Sequence, residues 1–165
     1  MSQIDSITLR PLLPTDDAFS YLIYAGTRAE EMARVAWTDE QKEAFLRMQF
    51  NAQTDHYRTY YPAAEYQIIL RGDVPIGRLI VERSPKSLLI MDIALLPEFR
   101  NTGIGTAILR ELMEEAGQAG LPVVLRVEFF NPAIRLYTRL GFVKTREVNS
   151  VYQEMIWTPT QNLTL

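Results

Sequence analysis

Hydrophobic and polar residues follow two different spacings along this chain, and the change from one to the other marks the predicted elements. Short alternating or wholly apolar runs predict strands, whereas apolar residues three or four positions apart predict amphipathic helices. The resulting order is β-α-α-β-β-β-α-β-α-β-β, a mixed α/β sheet. The predicted strands are residues 4–13, 66–70, 76–82, 88–95, 123–129, 142–146 and 151–157, and the predicted helices are residues 16–31, 38–61, 103–118 and 132–140.

The two helices of the first half have apolar stripes and one clear start signal. The run Thr38-Asp39-Glu40-Gln41 fits a capping box, in which a hydroxyl is followed three residues later by Glu or Gln. The predicted apolar stripes are Phe19, Leu22 and Ile23 in the first helix, and Phe45, Met48 and Ala52 in the second.

The segment Leu88–Leu95 is apolar at nearly every position, as expected for a strand buried on both faces. A glycine-containing turn then opens a helix in which Ile104, Ile108 and Leu112 recur at helical spacing. Glycine permits positive φ and a close ligand approach, and the first turn of a helix presents unpaired N–H groups and the positive end of its dipole. These features favour a phosphate or pyrophosphate site, to which Arg100 would add a positive charge.

Two common phosphate-binding motifs do not fit the pair of glycines in this turn. A dinucleotide fingerprint needs a third glycine at position 108, where the chain has Ile108, and a P-loop needs a Gly-Lys-Ser/Thr triplet that the sequence lacks. A turn that serves only the packing of a strand against a helix stays open as an alternative.

Two motifs together resemble the GNAT superfamily of N-acetyltransferases. Arg100-Asn101-Thr102-Gly103-Ile104-Gly105, after a strand and Pro97-Glu98-Phe99, looks like the acyl-CoA signature of that family. The segment 131–142, from Asn131-Pro132 through Leu136-Tyr137 to Leu140-Gly141-Phe142, is similar to its Asn…Leu-Tyr…Leu-Gly-Phe segment, although Asn131 and Tyr137 are six positions apart rather than seven. The match covers about residues 65–157.

The resemblance implies a GNAT acyl-CoA N-acyltransferase fold over residues 1–157, followed by a loose tail over residues 158–165. In that fold, two parallel strands splay apart beyond the glycine loop, and the pantetheine arm of acetyl-CoA adds backbone hydrogen bonds to the first of them. The implied cofactor-binding residues are Ile93, Ala94, Leu95, Arg100, Asn101, Thr102, Gly103, Ile104, Gly105, Thr106, Asn131 and Tyr137.

The implied reaction is acetyl transfer from acetyl-CoA to a primary amine by direct attack, with Tyr137 as general acid toward the CoA thiolate. A phenol stays protonated at neutral pH, which suits that role, but Tyr137 could also be a packing residue of a short helix. Asn131 could be a helix cap as well as a pantetheine ligand.

No motif identifies the general base. Asp92 is the one charged residue of an apolar strand, where a carboxylate needs a partner or a function, and a structural pairing with an arginine is the alternative. Glu128 is the second candidate and could instead pair with Arg126 or Arg135. His56 opens the aromatic segment 56–61, which could form one wall of the acceptor site or pack against the sheet.

Composition narrows the class of protein. The chain has 165 residues, a net charge of −3 and no basic run, which argues against a nucleic-acid partner. It has no cysteine and one histidine, which argues against disulfides and against a metal site. No apolar run approaches the ~20 residues of a membrane span, and no signal peptide is evident, so the expected location is cytoplasmic.

The partners expected from the family are a small-molecule or peptide amine and, as in many of its members, a second copy of the chain in a homodimer. An alternative function is a GNAT-fold module that binds CoA as a sensor or scaffold without transferring an acyl group.

Overall fold

The computed structural model describes residues 6–160 of the chain. The start of the predicted first strand, at residues 4 and 5, and the last five residues of the predicted loose tail lie outside the described residues.

Seven strands and five α-helices form within residues 6–160. The strands are β1 (Ile7–Pro11), β2 (Glu65–Arg71), β3 (Val74–Arg83), β4 (Leu88–Leu95), β5 (Val123–Glu128), β6 (Val143–Val148) and β7 (Tyr152–Trp157). The helices are α1 (Asp17–Thr27), α2 (Ala29–Ala33), α3 (Asp39–Tyr60), α4 (Ile104–Gln118) and α5 (Ile134–Leu140), with short 3-10 turns at Pro14–Asp16 and Pro97–Phe99.

The strands form one mixed sheet in the order β1-β2-β3-β4-β5-β7-β6. β4 and β5 pair in parallel, from Leu88 opposite Val123 to Ile90 opposite Leu125, which confirms the predicted parallel pair joined through the glycine helix. β7 lies antiparallel to both β5 and β6, and the register of β6 shifts between Lys144 and Arg146. The predicted mixed α/β fold is therefore confirmed, and the element order differs only in that the helix predicted over residues 16–31 is divided into α1 and α2.

The chain divides into two compact units. The first comprises the residues up to 80 together with 92–102, and the second comprises 81–91 together with the residues from 103 onward. The expectation of one domain over residues 1–157 stays a prediction.

Aromatic side chains form the core between α1 and α3 in the first unit. Tyr21, Tyr24, Leu46 and Phe50 are buried together, and the Phe50 ring lies 5.5 Å from the ring of Tyr21 and 5.6 Å from that of Tyr24. The predicted stripes of these two helices are therefore partly wrong. Leu22 is 56% exposed and Met48 is 60% exposed, and Ala52 is also exposed.

The start of α3 is as predicted. The Gln41 N–H donates to Thr38 Oγ1 at 3.2 Å, and the Thr38 N–H donates to Gln41 Oε1 at 3.0 Å. These two bonds satisfy donors that the first turn of a helix otherwise leaves unpaired, so the capping box fixes the boundary.

The second unit is built around α4. Ile104, Ile108 and Leu112 are buried, as their helical spacing predicts. In β5, Val123, Leu125 and Val127 form the buried row, whereas the predicted fourth member, Phe129, lies beyond the strand and is half-buried.

Gly77 sets the approach of β3 to β4 in the first unit. A Cβ atom at this position would collide with the Ala94 carbonyl oxygen and would lie 2.8 Å from Leu95 Cδ2. The Leu96 N–H also donates to the Ile76 carbonyl at 2.8 Å, so the backbone at the end of β4 is held tightly against β3.

We expect Gly77→Ala to lower the free energy of unfolding by about 1–3 kcal/mol, because the added methyl group overpacks a contact with backbone atoms. Chemical denaturation would measure the change. Gly117→Ala is the control, since a Cβ there would meet Trp157 at an ordinary 3.5 Å. Equal stability of the two variants would show that the strands separate easily at Gly77.

Candidate active site

The turn between β4 and α4 leaves the amino end of the helix open. Asn101 has φ 58° and Gly103 has φ 88°, and Gly103 is the N-cap residue without a side-chain cap. The Ala107 N–H makes the first bond of the helix, to the Gly103 carbonyl at 3.0 Å. The N–H groups of residues 103–106 precede that bond, so they form a donor set at the positive end of the helix dipole.

Packing among the described residues does not explain why residue 105 is a glycine. A Cβ atom at either Gly103 or Gly105 would meet no heavy atom within 4 Å. Gly103 needs glycine for its positive φ, but Gly105 lies in the first turn of α4, where any L-residue has suitable backbone angles. The space beside Gly105 is therefore available to a ligand.

Two side chains hold the loop that precedes α4. Arg100 Nε donates to the Leu95 carbonyl at 3.2 Å, and Thr102 Oγ1 donates to the Phe99 carbonyl at 2.6 Å. Arg100 thus binds the end of β4, and its guanidinium also lies beside Gly26 of α1. Thr102 uses its hydroxyl for the loop itself.

The carboxyl half of β4 carries Asp92, Ile93, Ala94 and Leu95, all of which are half-buried, whereas Leu88 and Ile90 in its first half are buried. The predicted pantetheine-binding residues therefore lie on the more accessible half of the strand.

Asp92 is paired with a buried arginine. Arg78 Nε donates to Asp92 Oδ2 at 2.5 Å, and the Arg78 side chain is 4% exposed. The structure thus shows the arginine pairing that the sequence left as the alternative to a catalytic role. Asp92 was noticed because it is the one charged residue of an apolar strand. Arg78 has the same feature, since it is the one charged residue between Ile76 and Val81.

Arg78 also donates to Ser20 Oγ and Gln53 Oε1, both at 3.1 Å, from the two neighbouring helices. Its guanidinium carbon lies 5.7 Å from the centre of the Phe50 ring. Sequence reasoning missed these residues, because Ser20 and Gln53 carry no motif and are far from Arg78 along the chain.

Glu128 ends β5 opposite Tyr152 of β7, and the Tyr152 hydroxyl donates to Glu128 Oε1 at 3.4 Å. On the next strand, hydrogen bonds from Arg146 and Thr145 lower the pKa of Glu154, with the Arg146 bond as the larger cause. Glu154 stands opposite Arg126, one of the partners that the sequence suggested for Glu128.

Tyr137 lies on α5 and is 8% exposed. Its ring packs edge-on against Phe142, with 5.9 Å between the ring centres, and Gly141 ends the helix with φ 103°.

Asn131 precedes this helix, and its Oδ1 accepts a hydrogen bond from the Ala133 N–H at 2.9 Å. The side chain of Asn131 therefore stabilises the turn that leads into α5, but it is not the helix cap that the sequence suggested, because α5 begins at Ile134 with Ala133 as its N-cap.

The predicted site residues fall in both units. Asp92, Ile93, Ala94, Leu95, Arg100, Asn101 and Thr102 belong to the first unit, and Gly103, Ile104, Gly105, Thr106, Glu128, Asn131 and Tyr137 belong to the second.

The aromatic segment 56–61 forms a cluster at the end of α3. The His56 ring lies 4.7 Å from the Tyr60 ring. Tyr57 and Arg58 line a cavity of about 120 Å³ together with Tyr66 and Arg78, all within the first unit. Tyr66 and Arg78 were not predicted as site residues.

Between residues 6 and 160, no helix is long and apolar enough to cross a membrane. Within the same range, no three His, Cys, Asp or Glu side chains are grouped so that they could hold a metal ion.

Comparison with known proteins gives a family and a fold. The model of the acetyltransferase (GNAT) family matches residues 27–142. Comparison with curated proteins found no match.

Several solved structures are similar to this one. The PaiA N-acetyltransferase from Thermoplasma acidophilum, solved with coenzyme A, has 17% identity and a TM-score of 0.68, covering 93% of this chain and 99% of its own. The histone acetyltransferase HPA2 and related acetyltransferase from Corynebacterium glutamicum has 20% identity and a TM-score of 0.68, covering 96% and 99%. The ribosomal-protein-S18-alanine N-acetyltransferase from Escherichia coli has 18% identity and a TM-score of 0.63, covering 97% and 99%. At these identities the likeness shows the fold.

We expect Asp92→Asn to lower the free energy of unfolding by about 1–3 kcal/mol, because Arg78 would keep its buried charge without a carboxylate partner. Denaturant titration would measure the loss. Asp73→Asn, in the exposed turn between β2 and β3, is the control and should change stability by less than about 0.5 kcal/mol. If both variants were equally stable, the ion pair would have no structural role.

Proposed function

Because this chain belongs to the GNAT family of acetyltransferases, for which acetyl-CoA is the acyl donor, we propose that it transfers the acetyl group to a primary amine by direct attack. The acceptor is a small molecule or a peptide.

The observation that carries this proposal is the open space beside Gly105 at the uncapped amino end of α4. A pyrophosphate needs several converging N–H donors and a positive field, and the N–H groups of residues 103–106 and the helix dipole supply both. Arg100, which precedes the glycines in the sequence, is the cationic residue that we also assign to the cofactor. The residues present therefore fit the pyrophosphate of CoA.

Two parts of the chain, the accessible half of β4 in the first unit and Asn131 in the second, each carry groups that suit the pantetheine arm. Ile93, Ala94 and Leu95 offer backbone groups on a half-buried stretch of strand. The Asn131 Oδ1 is bonded to the Ala133 N–H, but an amide also carries an NH₂ group with two donors. Asn131 can therefore cap the turn and donate to a pantetheine carbonyl at the same time.

Acetyl-CoA supplies an activated thioester carbonyl for the amine to attack. We assign to the Tyr137 hydroxyl the donation of a proton to the departing sulfur. Burial and the edge-on contact with Phe142 restrict the Tyr137 ring and thereby the position of its hydroxyl oxygen.

The amine must lose a proton during the reaction, and Glu128 and Asp92 are the candidate bases, directly or through water. Asp92 already binds Arg78 at 2.5 Å, whereas the hydrogen bond of Glu128 with Tyr152 is long at 3.4 Å. The ion pair favours a positioning role for Asp92 toward Arg78, and Glu128 stays a candidate base.

We expect Gly105→Val to raise the acetyl-CoA dissociation constant at least about tenfold, which is roughly 1.4 kcal/mol of binding free energy. The reason is that the new side chain would occupy the space available to the pyrophosphate, while valine in place of glycine costs a helix nothing. Calorimetric titration would measure affinity, and a thermal melt would confirm that the variant is folded.

Gln118→Val is the matched control, because it places the same side chain on an exposed position in the last turn of α4. NAD and ATP serve as control ligands for the parent protein. Equal acetyl-CoA affinity in the Gly105 and Gln118 variants, or no binding of acetyl-CoA by the parent protein, would contradict the assignment of the glycine loop.

We expect Tyr137→Phe to reduce kcat by about 100-fold, the lower range for loss of a general acid, with little change in acetyl-CoA affinity. Release of the CoA thiol in the presence of a panel of amines would measure turnover. An unchanged kcat would remove Tyr137 from the mechanism, and cofactor binding without turnover of any amine by the parent protein would favour a sensor or scaffold instead.

A further inference from the structure

The cavity of about 120 Å³ in the first unit lies beside α3, with β2, β3 and the segment before α1 as its other walls. Leu13, Pro14, Phe50 and Ile80 give it apolar surface. Its size suits the end of a small molecule rather than a whole nucleotide.

The Tyr66 hydroxyl in the wall of this cavity is buried and has no hydrogen-bond partner within residues 6–160. Burial raises the pKa of Tyr66, although the charges of Arg58 and Arg78 oppose this effect. The group is therefore a protonated donor at neutral pH. Since buried hydroxyls are nearly always bonded, this one calls for an acceptor that the cavity would receive.

The charges around the cavity favour a negatively charged ligand. The Arg78 guanidinium is engaged by Asp92, Ser20 and Gln53. Arg58, also in the wall, forms no ion pair or hydrogen bond with the residues that the structure describes, 6–160. Its charge is the one left to attract a ligand.

The carboxylate in the cavity wall, that of Asp17, does not neutralise Arg58. Asp17 pairs with Arg47 at 3.2 Å on an exposed surface. A polycation would be opposed by the charge of Arg58. A carboxylate, which accepts hydrogen bonds from both a guanidinium and a phenol, matches the donors present.

We propose that this cavity holds the carboxylate of the amine acceptor between Arg58 and the Tyr66 hydroxyl, with the apolar wall against its aliphatic stem. The acceptor class is then amines that carry a carboxylate, either free amino acids or the carboxyl ends of short peptides. This inference rests on the proposed acetyl transfer.

The first experiment compares acceptors at saturating acetyl-CoA, with release of the CoA thiol as the readout. The panel contains free amino acids, dipeptides, the carboxamide of each, a polyamine and an amino sugar. We expect kcat/KM to fall about tenfold to a hundredfold when the carboxylate becomes a carboxamide, as for the loss of a charged hydrogen bond. Comparison of the amino acids with the dipeptides distinguishes the two sources of the carboxylate.

Variants separate recognition from folding. Arg58→Met should raise KM for the carboxylate acceptor about tenfold and leave KM for its carboxamide unchanged. Tyr66→Phe should raise KM for both acceptors, because a carboxamide oxygen also accepts a hydrogen bond from a phenol. Arg34→Met, at an exposed position outside the cavity, should change neither value. Equal rates with carboxylate and carboxamide in the parent protein, or equal losses with both in Arg58→Met, would overturn the inference.

The experiment distinguishes failure of the proposed acetyl transfer from failure of the proposed carboxylate site. Turnover of the polyamine or the amino sugar without turnover of amino acids or dipeptides would leave the acetyltransferase standing and overturn the carboxylate site. If no amine reacts, calorimetric titration of the same amino acids tests the cavity alone. Binding that is lost in Arg58→Met would support the site, and absence of binding would overturn it.

Discussion

The first unit is organised by the need to satisfy one buried guanidinium. A charged group that is removed from water costs free energy unless it is paired and hydrogen-bonded, and Arg78 is 4% exposed. Asp92 on β4, Ser20 on α1 and Gln53 on α3 meet this requirement together. The four residues come from four different elements, so the requirement restrains how those elements can be arranged around Arg78.

This restraint has consequences for chemistry. It places Asp92 in an ion pair, which weighs against a free catalytic carboxylate at that position. It also leaves Arg58 and the Tyr66 hydroxyl as the groups at the cavity whose bonding capacity is not used within the described residues. Arg78 thus binds Asp92 as a structural partner, whereas Arg58 and the Tyr66 hydroxyl are donors that suit a ligand.

In the second unit, the candidate phosphate-binding loop at the start of α4 depends on residues that are adjacent in the sequence. The open amino end of α4 depends on Gly103 in a left-handed conformation and on the absence of a side-chain cap, and Gly105 leaves the space beside it free. The glycine loop was therefore readable from six consecutive residues, because the donors, the conformation and the space all come from that segment. The capping box of α3 was predictable for the same reason, since its two bonds join residues three apart.

The sequence alone determined the element order apart from the break between α1 and α2, the bounds of β4, the start of α3 and the family resemblance, because these depend on residues close in the chain. Only the tertiary structure decided which helix faces are buried: α1 and α3 carry apolar side chains on more than one face, and the packing around Phe50 buries Tyr21 and Tyr24 instead of Leu22 and Met48. It also decided the partner of Asp92 and brought Tyr66 beside Arg58 and Arg78. Those contacts join different elements, and no local pattern determines which distant side chain will meet a buried charge.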